Sequence, residues 1–200
     1  EIARKNVRNI LGKRFVVTGG SGGIGFETAR VLAKYGGNVT IASRSTQRGE
    51  LAALKVNKEE NCVGTATFEK LDLSSFDSVT KFVHREKTVK KHVDVWILNA
   101  GKISPIFEKT KDGVESTLQV NFLSHQLLMD QILKENEHST LKPTVVSLSS
   151  YGPARYSKIG DIANGGLTHV LKQNDYPFIL PGTYGVAKQA SVRFARELFK

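Results

Sequence analysis

Two side chains late in the chain could move a proton together. Tyr184 and Lys188, within "TYGVAK", are four residues apart and so share one face of a helix. A phenol, with a pKa of about 10, is a poor acid–base group at neutral pH unless a nearby ammonium favours the phenolate. Ser149 and Ser150 close the strand-like run "VVSLSS". Asn121 interrupts an apolar helical stripe of Val114, Leu118, His125, Leu128 and Ile132. A buried amide must find partners or cost about 1–3 kcal/mol. Asn121 therefore either satisfies local backbone or holds a water or a catalytic group. His125, on the same stripe, reads as a satisfied core histidine.

A second kind of chemistry lies near the start. Thr18, Gly19, Gly23 and Gly25 form the pattern T-G-x-x-x-G-x-G, inside a run with five glycines in seven residues. Strand-like "RFVVT" precedes it, and the helical pattern after it puts Ile24, Ala29, Leu32 and Ala33 on one apolar face. A glycine turn between a strand and a helix brings bare N–H groups and the positive end of the helix dipole to an anion such as a phosphate. The alternative is a plain structural turn, and the spacing differs from the G-x-G-x-x-G dinucleotide fingerprint.

The second strand-like segment ends "IASRS", which supplies Ser43, Arg44 and, a turn later, Arg48, with no carboxylate. An acid at this place pairs with a free ribose 2′-hydroxyl and an arginine with a 2′-phosphate, so charge complementarity favours NADP(H) over NAD(H). Arg44 otherwise reads as a solvated loop residue. Asp72, after the third strand, is placed either to meet an adenine amino group or to cap the next helix. After the fourth come Asn99, Ala100 and Gly101, which let backbone approach a flat ring.

These residues need a frame that sets strand ends side by side. Strand-like segments at 14–18, 38–44, 64–72, 93–99 and 143–150 alternate with helix-like ones at 24–35, 46–60, 75–89, 112–134 and 183–199. Such alternation predicts an α/β fold with a parallel sheet, helices on both faces and right-handed crossovers. Apolar strands such as "VDVWIL" fit a sheet covered on both sides, and ligands in such folds bind beyond the carboxyl ends of the strands. Segment 151–182, with "GPARY", "NGG" and "LPG", is too long for an ordinary connection and is expected over that carboxyl edge.

Two hundred residues suit one domain with a proper core. The single cysteine, Cys62, excludes an intramolecular disulfide, and no metal site is expected. No apolar run reaches the roughly 20 residues that cross a bilayer, and no signal peptide is visible. That points to an intracellular protein, cytoplasmic or membrane-associated, although the chain starts at Glu1 and leaves a preceding anchor or domain open. The net charge of +10 comes from scattered residues without a nucleic-acid motif. An anionic ligand or solvated helix faces account for it, and nucleic acid is not an expected partner.

In order along the chain, the glycine motif, Asn99-Ala100-Gly101, Asn121, Ser150 and the Tyr184/Lys188 pair resemble the short-chain dehydrogenase/reductase family. "SRSTQRGE", "KTKDGVESTLQVNFLSH" and "VVSLSS" look most like its retinol dehydrogenase-like branch. "IGFETA" and "NDY" lean toward the oxidoreductase domain of the WW-domain oxidoreductases. The resemblance implies a Rossmann-type doubly wound parallel sheet, and roles residue by residue. Tyr184 would be the general acid–base, and Lys188 would lower its pKa and bond the nicotinamide ribose. Ser150, with Ser149 as the fallback, would orient the substrate oxygen, and Asn121 would hold a water linking Lys188 to solvent. Gly19, Ser21, Gly23 and Ile24 would line the pyrophosphate, with Gly25 in the same motif. Arg44, with Ser43 and Arg48, would take the 2′-phosphate, Asp72 and Leu73 the adenine, and Asn99, Ala100 and Gly101 the ribose and ring. The hydride chemistry belongs to the nicotinamide.

Three features depart from the family pattern. Leu98 stands where a first asparagine is common, Ser150 and Tyr184 are 34 positions apart, and Lys200 ends the sequence inside the helix of the Tyr-Lys pair. Family members continue with further strands, a Pro-Gly segment at the nicotinamide and a substrate-covering lobe. The expectation is one dinucleotide-binding domain over 1–200, truncated after that helix and so a C-terminally incomplete fragment. The expected function is NADP(H)-dependent interconversion of a hydrophobic alcohol, retinoid- or steroid-like, with its aldehyde or ketone. A non-catalytic dinucleotide-binding scaffold or sensor is the alternative. Membrane association through segments outside 1–200 stays open, as does a homo-oligomer.

Overall fold

The computed structural model describes residues 10–89, 91–104, 106–135, 137, 139–151 and 182–198. Among the described residues five strands are formed: β1 (Arg14–Thr18), β2 (Asn38–Ser43), β3 (Thr65–Lys70), β4 (Val95–Leu98) and β5 (Thr144–Ser147). Between them along the chain come α1 (Gly23–Lys34), α2 (Thr46–Asn57) and α3 (Phe76–Thr88). A longer helical run starts as α4 (Ser116–Leu118), passes through a π turn (Gln119–Leu123) and continues as α5 (Ser124–Glu135); α6 (Gly182–Glu197) follows β5.

The sheet order is β3-β2-β1-β4-β5, and β1 pairs in parallel with both β2 and β4, as does β2 with β3. The chain steps outward from β1 to β3, then restarts on the other side at β4. This reversal between β1 and β4 is the topological switch point of a Rossmann-type sheet, beyond whose strand ends ligands bind.

The chain divides into two compact units. The first, Glu1–Asp72 with Lys81–Ala100 and Leu133–Val146, holds the sheet. Its core is the near-continuous apolar runs of the central strands, Phe15, Val16, Val17, Val39, Ile41, Trp96 and Ile97, all buried. Phe82 meets Trp96 edge-on, with centroids 6.4 Å apart. Ala29 and Ala33 of α1 and Ala52, Ala53 and Val56 of α2 are buried too, small side chains that let helices lie close. At the edge strand β3, Asn57 pairs with both backbone groups of Ala66, accepting from its N–H at 2.7 Å and donating to its carbonyl at 2.8 Å.

The second unit is Leu73–Thr80, Gly101–Ile132 and Ser147–Lys200. Leu118, Phe122, Val186, Ala187 and Ala190 make its core, flanked by Leu123 and Phe194. Two expectations need correction here. The helix foreseen from residue 112 starts at Ser116, because Gly113 turns the backbone to φ +79 and the side chain of Glu115 accepts from the N–H groups of Thr117 and Leu118. The fifth strand stops at Ser147, so Ser149 and Ser150 stand beyond its end. The segment expected over the sheet edge falls on 152–181, outside the described residues.

Candidate functional site

In the first unit, the carboxyl ends of β1, β2 and β4 are laced together. The hydroxyl of Thr18 accepts from the N–H groups of Asn99 (3.0 Å) and Ala100 (2.9 Å), while the Asn99 amide donates to the Thr18 carbonyl (2.8 Å). Gly19 N–H donates to the Ala42 carbonyl at 2.8 Å. This closeness depends on bare glycine. Gly19 has φ +68, and a Cβ there would lie 2.9 Å from Ala100 Cα. A Cβ on Gly25 would lie 2.6 Å from the Gly19 carbonyl oxygen and run into the Asn99 amide.

The helix that follows, α1, is preceded by Gly22 at the N-cap, extended at φ −173, with no side-chain cap and no acid in its first turn. The orphan N–H groups and the positive dipole end are thus left to another acceptor. Ile24, expected on the packed face, is instead 71% exposed; the buried face is Gly25, Ala29 and Ala33. The reason is position: Ile24 belongs to the opening turn, at the site, where a large side chain faces outward beside the bare N–H groups.

At the end of β2 the hydroxyl of Ser43 is buried and has no hydrogen-bond partner among the described residues. An unmade bond of that kind costs about 1–3 kcal/mol. The neighbouring Arg44 and Arg48 are exposed and have no ion-pair partner among the described residues. Asp72 is half-buried, and Ser75 caps α3, its hydroxyl accepting from Ser78 N–H at 3.1 Å. Leu73 is buried. A glycine cradle, an uncapped helix N-terminus, and a hydroxyl and two guanidinium groups without partners among the described residues fit a phosphate-rich ligand such as a phosphorylated dinucleotide.

The second unit gathers the candidate proton-handling groups. Asn121 lies in the π turn, 2% exposed, and π turns recur at functional sites. Its side-chain oxygen accepts from Lys102 N–H at 2.7 Å and its amide donates to the Lys102 carbonyl at 2.8 Å. The backbone carbonyl of Asn121 accepts from the Ser191 hydroxyl at 3.4 Å, and His125 Nδ1 stands at the same distance. A Cβ on Gly101 would be 3.1 Å from Asn121 Oδ1 and 3.8 Å from Lys188 Nζ, so both side chains come up against this one glycine.

Lys188 is buried; its Nζ donates to the Leu148 carbonyl at 2.6 Å and lies 5.9 Å from the centroid of the half-buried Tyr184 ring. Ser149 donates its hydroxyl to the Lys188 carbonyl at 3.3 Å, and Ser149 and Ser150 are both exposed. Burial lowers the pKa of Lys188. It also takes His125 down to about 4, with the Asn121 carbonyl opposing and the Lys188 charge reinforcing the shift. A cavity of about 360 Å³, lined by Ser147, Ser149, Ser191, Val192, Ala195 and Arg196, shares two residues with this cluster but includes neither Tyr184 nor Lys188.

Two contributors escaped the reading of the sequence, Lys102 and Ser191, and Thr18 was read only as the first residue of the glycine motif. Lys102 flanks a motif that was recognised, and Ser191 follows Lys188 by one helical step of three. Those positions were the available signal. Among the described residues no three His, Cys, Asp or Glu gather as for a metal ion, and no helix is long and apolar enough to cross a membrane.

The parallel order with its switch point, and the glycine turn at a helix N-terminus, define a nucleotide-binding fold of the Rossmann type. The family model for short chain dehydrogenases matches residues 13–156, and the chain belongs to that family. It is 33% identical over 192 residues to the WW domain-containing oxidoreductase of Drosophila melanogaster, across 96% of this chain and 46% of that protein. It is 34% identical over 201 residues to retinol dehydrogenase 12 of Bos taurus, across 100% of this chain and 59% of that protein. These likenesses put it in the retinol dehydrogenase-like branch, and the chain spans about half the length of the curated relatives it matches. A solved structure of an uncharacterised protein from Mycobacterium paratuberculosis superposes at TM-score 0.74 and 29% identity, covering 94% of this chain and 62% of that one.

Proposed function

We propose that the protein is an NADP(H)-dependent oxidoreductase that interconverts a hydrophobic alcohol with its aldehyde or ketone. The observation that carries this reading is the placement of both Asn121 and Lys188 against Gly101, with the Tyr184 ring beside the lysine. On this reading Gly19, Ser21, Gly23, Ile24 and Gly25 hold the pyrophosphate. Ser43, Arg44 and Arg48 hold the 2′-phosphate, Asp72 and Leu73 the adenine, and Asn99, Ala100 and Gly101 the ribose and ring. The bound nicotinamide supplies or accepts the hydride.

The chain's own residues manage the proton. Tyr184 gives a proton to the carbonyl oxygen in reduction and takes one from the hydroxyl in oxidation. The ammonium of Lys188, held by the Leu148 carbonyl, favours the negative charge that the phenol oxygen carries once its proton has left. Ser150, just beyond the end of β5, is the group that orients the substrate oxygen on this reading, with Ser149 as the fallback. Asn121, gripped through its side chain by Lys102, keeps its carbonyl in place for a water on the way to Lys188. The retinol dehydrogenases among the relatives support a retinoid-like substrate.

The test pairs NADPH affinity with carbonyl reduction in Tyr184→Phe. Turnover should fall by about 10²–10⁴-fold, the usual share of a general acid–base, while affinity stays within about twofold. Undiminished turnover would remove Tyr184 from the chemistry. NADPH binding with no turnover across a broad panel of carbonyls and alcohols would favour the scaffold.

A further inference from the structure

The π turn that carries Asn121 begins at Gln119 and ends against Ser124, and both of those residues are fully buried. Ser124 N–H donates to the Gln119 carbonyl five residues back, the bond that makes the turn π. Gln119 N–H keeps the ordinary helical bond to the Glu115 carbonyl, at 2.9 Å. The side chains of both residues reach out of the helical run to other segments. The Gln119 side-chain oxygen accepts from the Thr110 hydroxyl, and its amide donates to the Asp112 carboxylate at 2.6 Å. The same carboxylate oxygen accepts from Phe76 N–H, at the start of α3, at 2.8 Å. Thr110 and Asp112 sit in a tight reversal closed by the Lys109–Glu115 bridge, with Gly113 at φ +79. At the other end of the turn, the Ser124 hydroxyl donates to the Leu73 carbonyl at 2.6 Å. A leucine or methionine would fill the place of Gln119 without an amide to satisfy, so packing alone does not account for it.

We propose that Gln119 and Ser124 are positioning residues: they anchor the two ends of the π turn and so keep Asn121 where it meets Lys102 and Gly101. The proposal rests on the oxidoreductase reading of the same site. Geometry carries it. A helix advances about 100° per residue, so closing the turn to ordinary helical register would rotate the two halves of the run against each other by about that angle. Asn121 lies between the two anchors, in the part that would move. Its side chain would lose both bonds to the Lys102 backbone, and its carbonyl would leave the Ser191 hydroxyl. The anchors oppose that rotation because each ties its end of the turn to a different segment. Gln119 holds to the reversal at 109–115, and Ser124 to the chain just ahead of α3.

The experiment reads the place of Asn121 in two ways: hydrogen exchange at the Lys102 N–H, which Asn121 accepts, and the kinetics of retinal reduction by NADPH. Gln119→Met keeps the bulk of the side chain and removes both of its bonds. Exchange at Lys102 should quicken by about 10- to 100-fold, the weight of a hydrogen bond to a charged group. The amides of Val16 and Val17 in β1 should keep their protection, as evidence of folding. In turnover, kcat should fall by about 10- to 100-fold, as a misplacement of about 1 Å can cause, with the KM for NADPH within about twofold. Ser124→Ala removes one bond and should move both readings the same way, by less. Gln119→Glu sets two carboxylates against each other. Adding Asp112→Asn turns that clash back into a donor and an acceptor, so the double variant should recover part of both losses. Lys102 exchange and kcat unchanged in Gln119→Met, even with a lower melting temperature, would overturn the proposal and leave Gln119 a packing residue. A loss confined to the KM for NADPH overturns it too. Faster Lys102 exchange that the double variant reverses, with no turnover in any of the proteins, upholds the anchoring and overturns the oxidoreductase reading. Should β1 also lose protection in Gln119→Met, Ser124→Ala carries the same outcomes.

Discussion

His125 shows how far one side chain's surroundings set its chemistry. Its imidazole is buried, with Nδ1 at 3.4 Å from the Asn121 carbonyl and the Lys188 ammonium among the charges acting on it. Burial lowers its pKa from 6.5 to about 4, so the folded protein keeps it neutral where an unfolded chain would protonate it. Between those two values the unfolded state binds more protons, and stability therefore falls as pH drops from about 6.5 to 4. Such a shift corresponds to about 3 kcal/mol at most. Denaturant midpoints measured from pH 7 to pH 4 should decline, and His125→Gln should flatten that decline while costing some stability at pH 7. An equally steep decline in the variant would assign the acid sensitivity to other groups. At this scale the sequence was readable where a residue broke a pattern: a polar Asn121 and a His125 on an apolar stripe, a Tyr-Lys pair at helical spacing. Their partners were not. Lys102 meets Asn121 through its backbone across 19 positions, and no property of the residue type announces such a contact.

At the scale of elements, the strand–turn–helix opening was legible because glycine, dense between an apolar strand and an amphipathic helix, has a physical reason to be there. The structure separates the glycines that matter from those that do not. At Gly25 an added methyl meets the Gly19 carbonyl and the Asn99 amide; at Gly22, extended at φ −173, it meets nothing within 4 Å. Gly25→Ala should therefore cost about 1–3 kcal/mol by overpacking and weaken NADPH binding at least tenfold, since the helix N-terminus would be pushed from its place. Gly22→Ala should cost no more than about 1 kcal/mol, the difference between glycine and alanine at an N-cap. Thermal unfolding and fluorescence titration of the two variants compare them directly, and equal losses would mean that the close approach at Gly25 is not what holds the turn. The π turn at Gln119–Leu123 lay beyond pattern reading. One extra residue in a turn shifts a stripe by less than the spread that a mixed spacing of three and four already allows.

At the scale of the whole molecule, alternation of strand and helix was enough to foresee the parallel sheet, because right-handed crossovers leave few other arrangements. The division into two units was not foreseen, since it depends on which segments pack together, and each unit takes segments from three parts of the chain. Charge belongs to this scale as well. A net charge of +10 draws any polyanion, so tight binding of NADPH alone would not identify a 2′-phosphate site. The discriminating quantity is the ratio of NADPH to NADH affinity, in which the general field acting on the shared parts of the two cofactors cancels. Arg44→Asp removes a donor and places a carboxylate where the 2′-phosphate would sit. Charge-assisted bonds of this kind are worth about 1.5–3 kcal/mol, so NADPH affinity should drop by about 10- to 100-fold while NADH affinity holds or improves. Lys13→Asp makes the same change in net charge at an exposed residue just before β1, at the opposite end of that strand from the glycine turn. It should lower both affinities slightly and leave their ratio alone. The ratio in the unmodified protein should also shrink as salt rises, because an exposed guanidinium is screened within about 8 Å at physiological ionic strength. Fluorescence titrations of both cofactors against the three proteins decide the matter: equal affinities in the unmodified protein, or a ratio that Lys13→Asp moves as much as Arg44→Asp, would return Arg44 to the solvated surface.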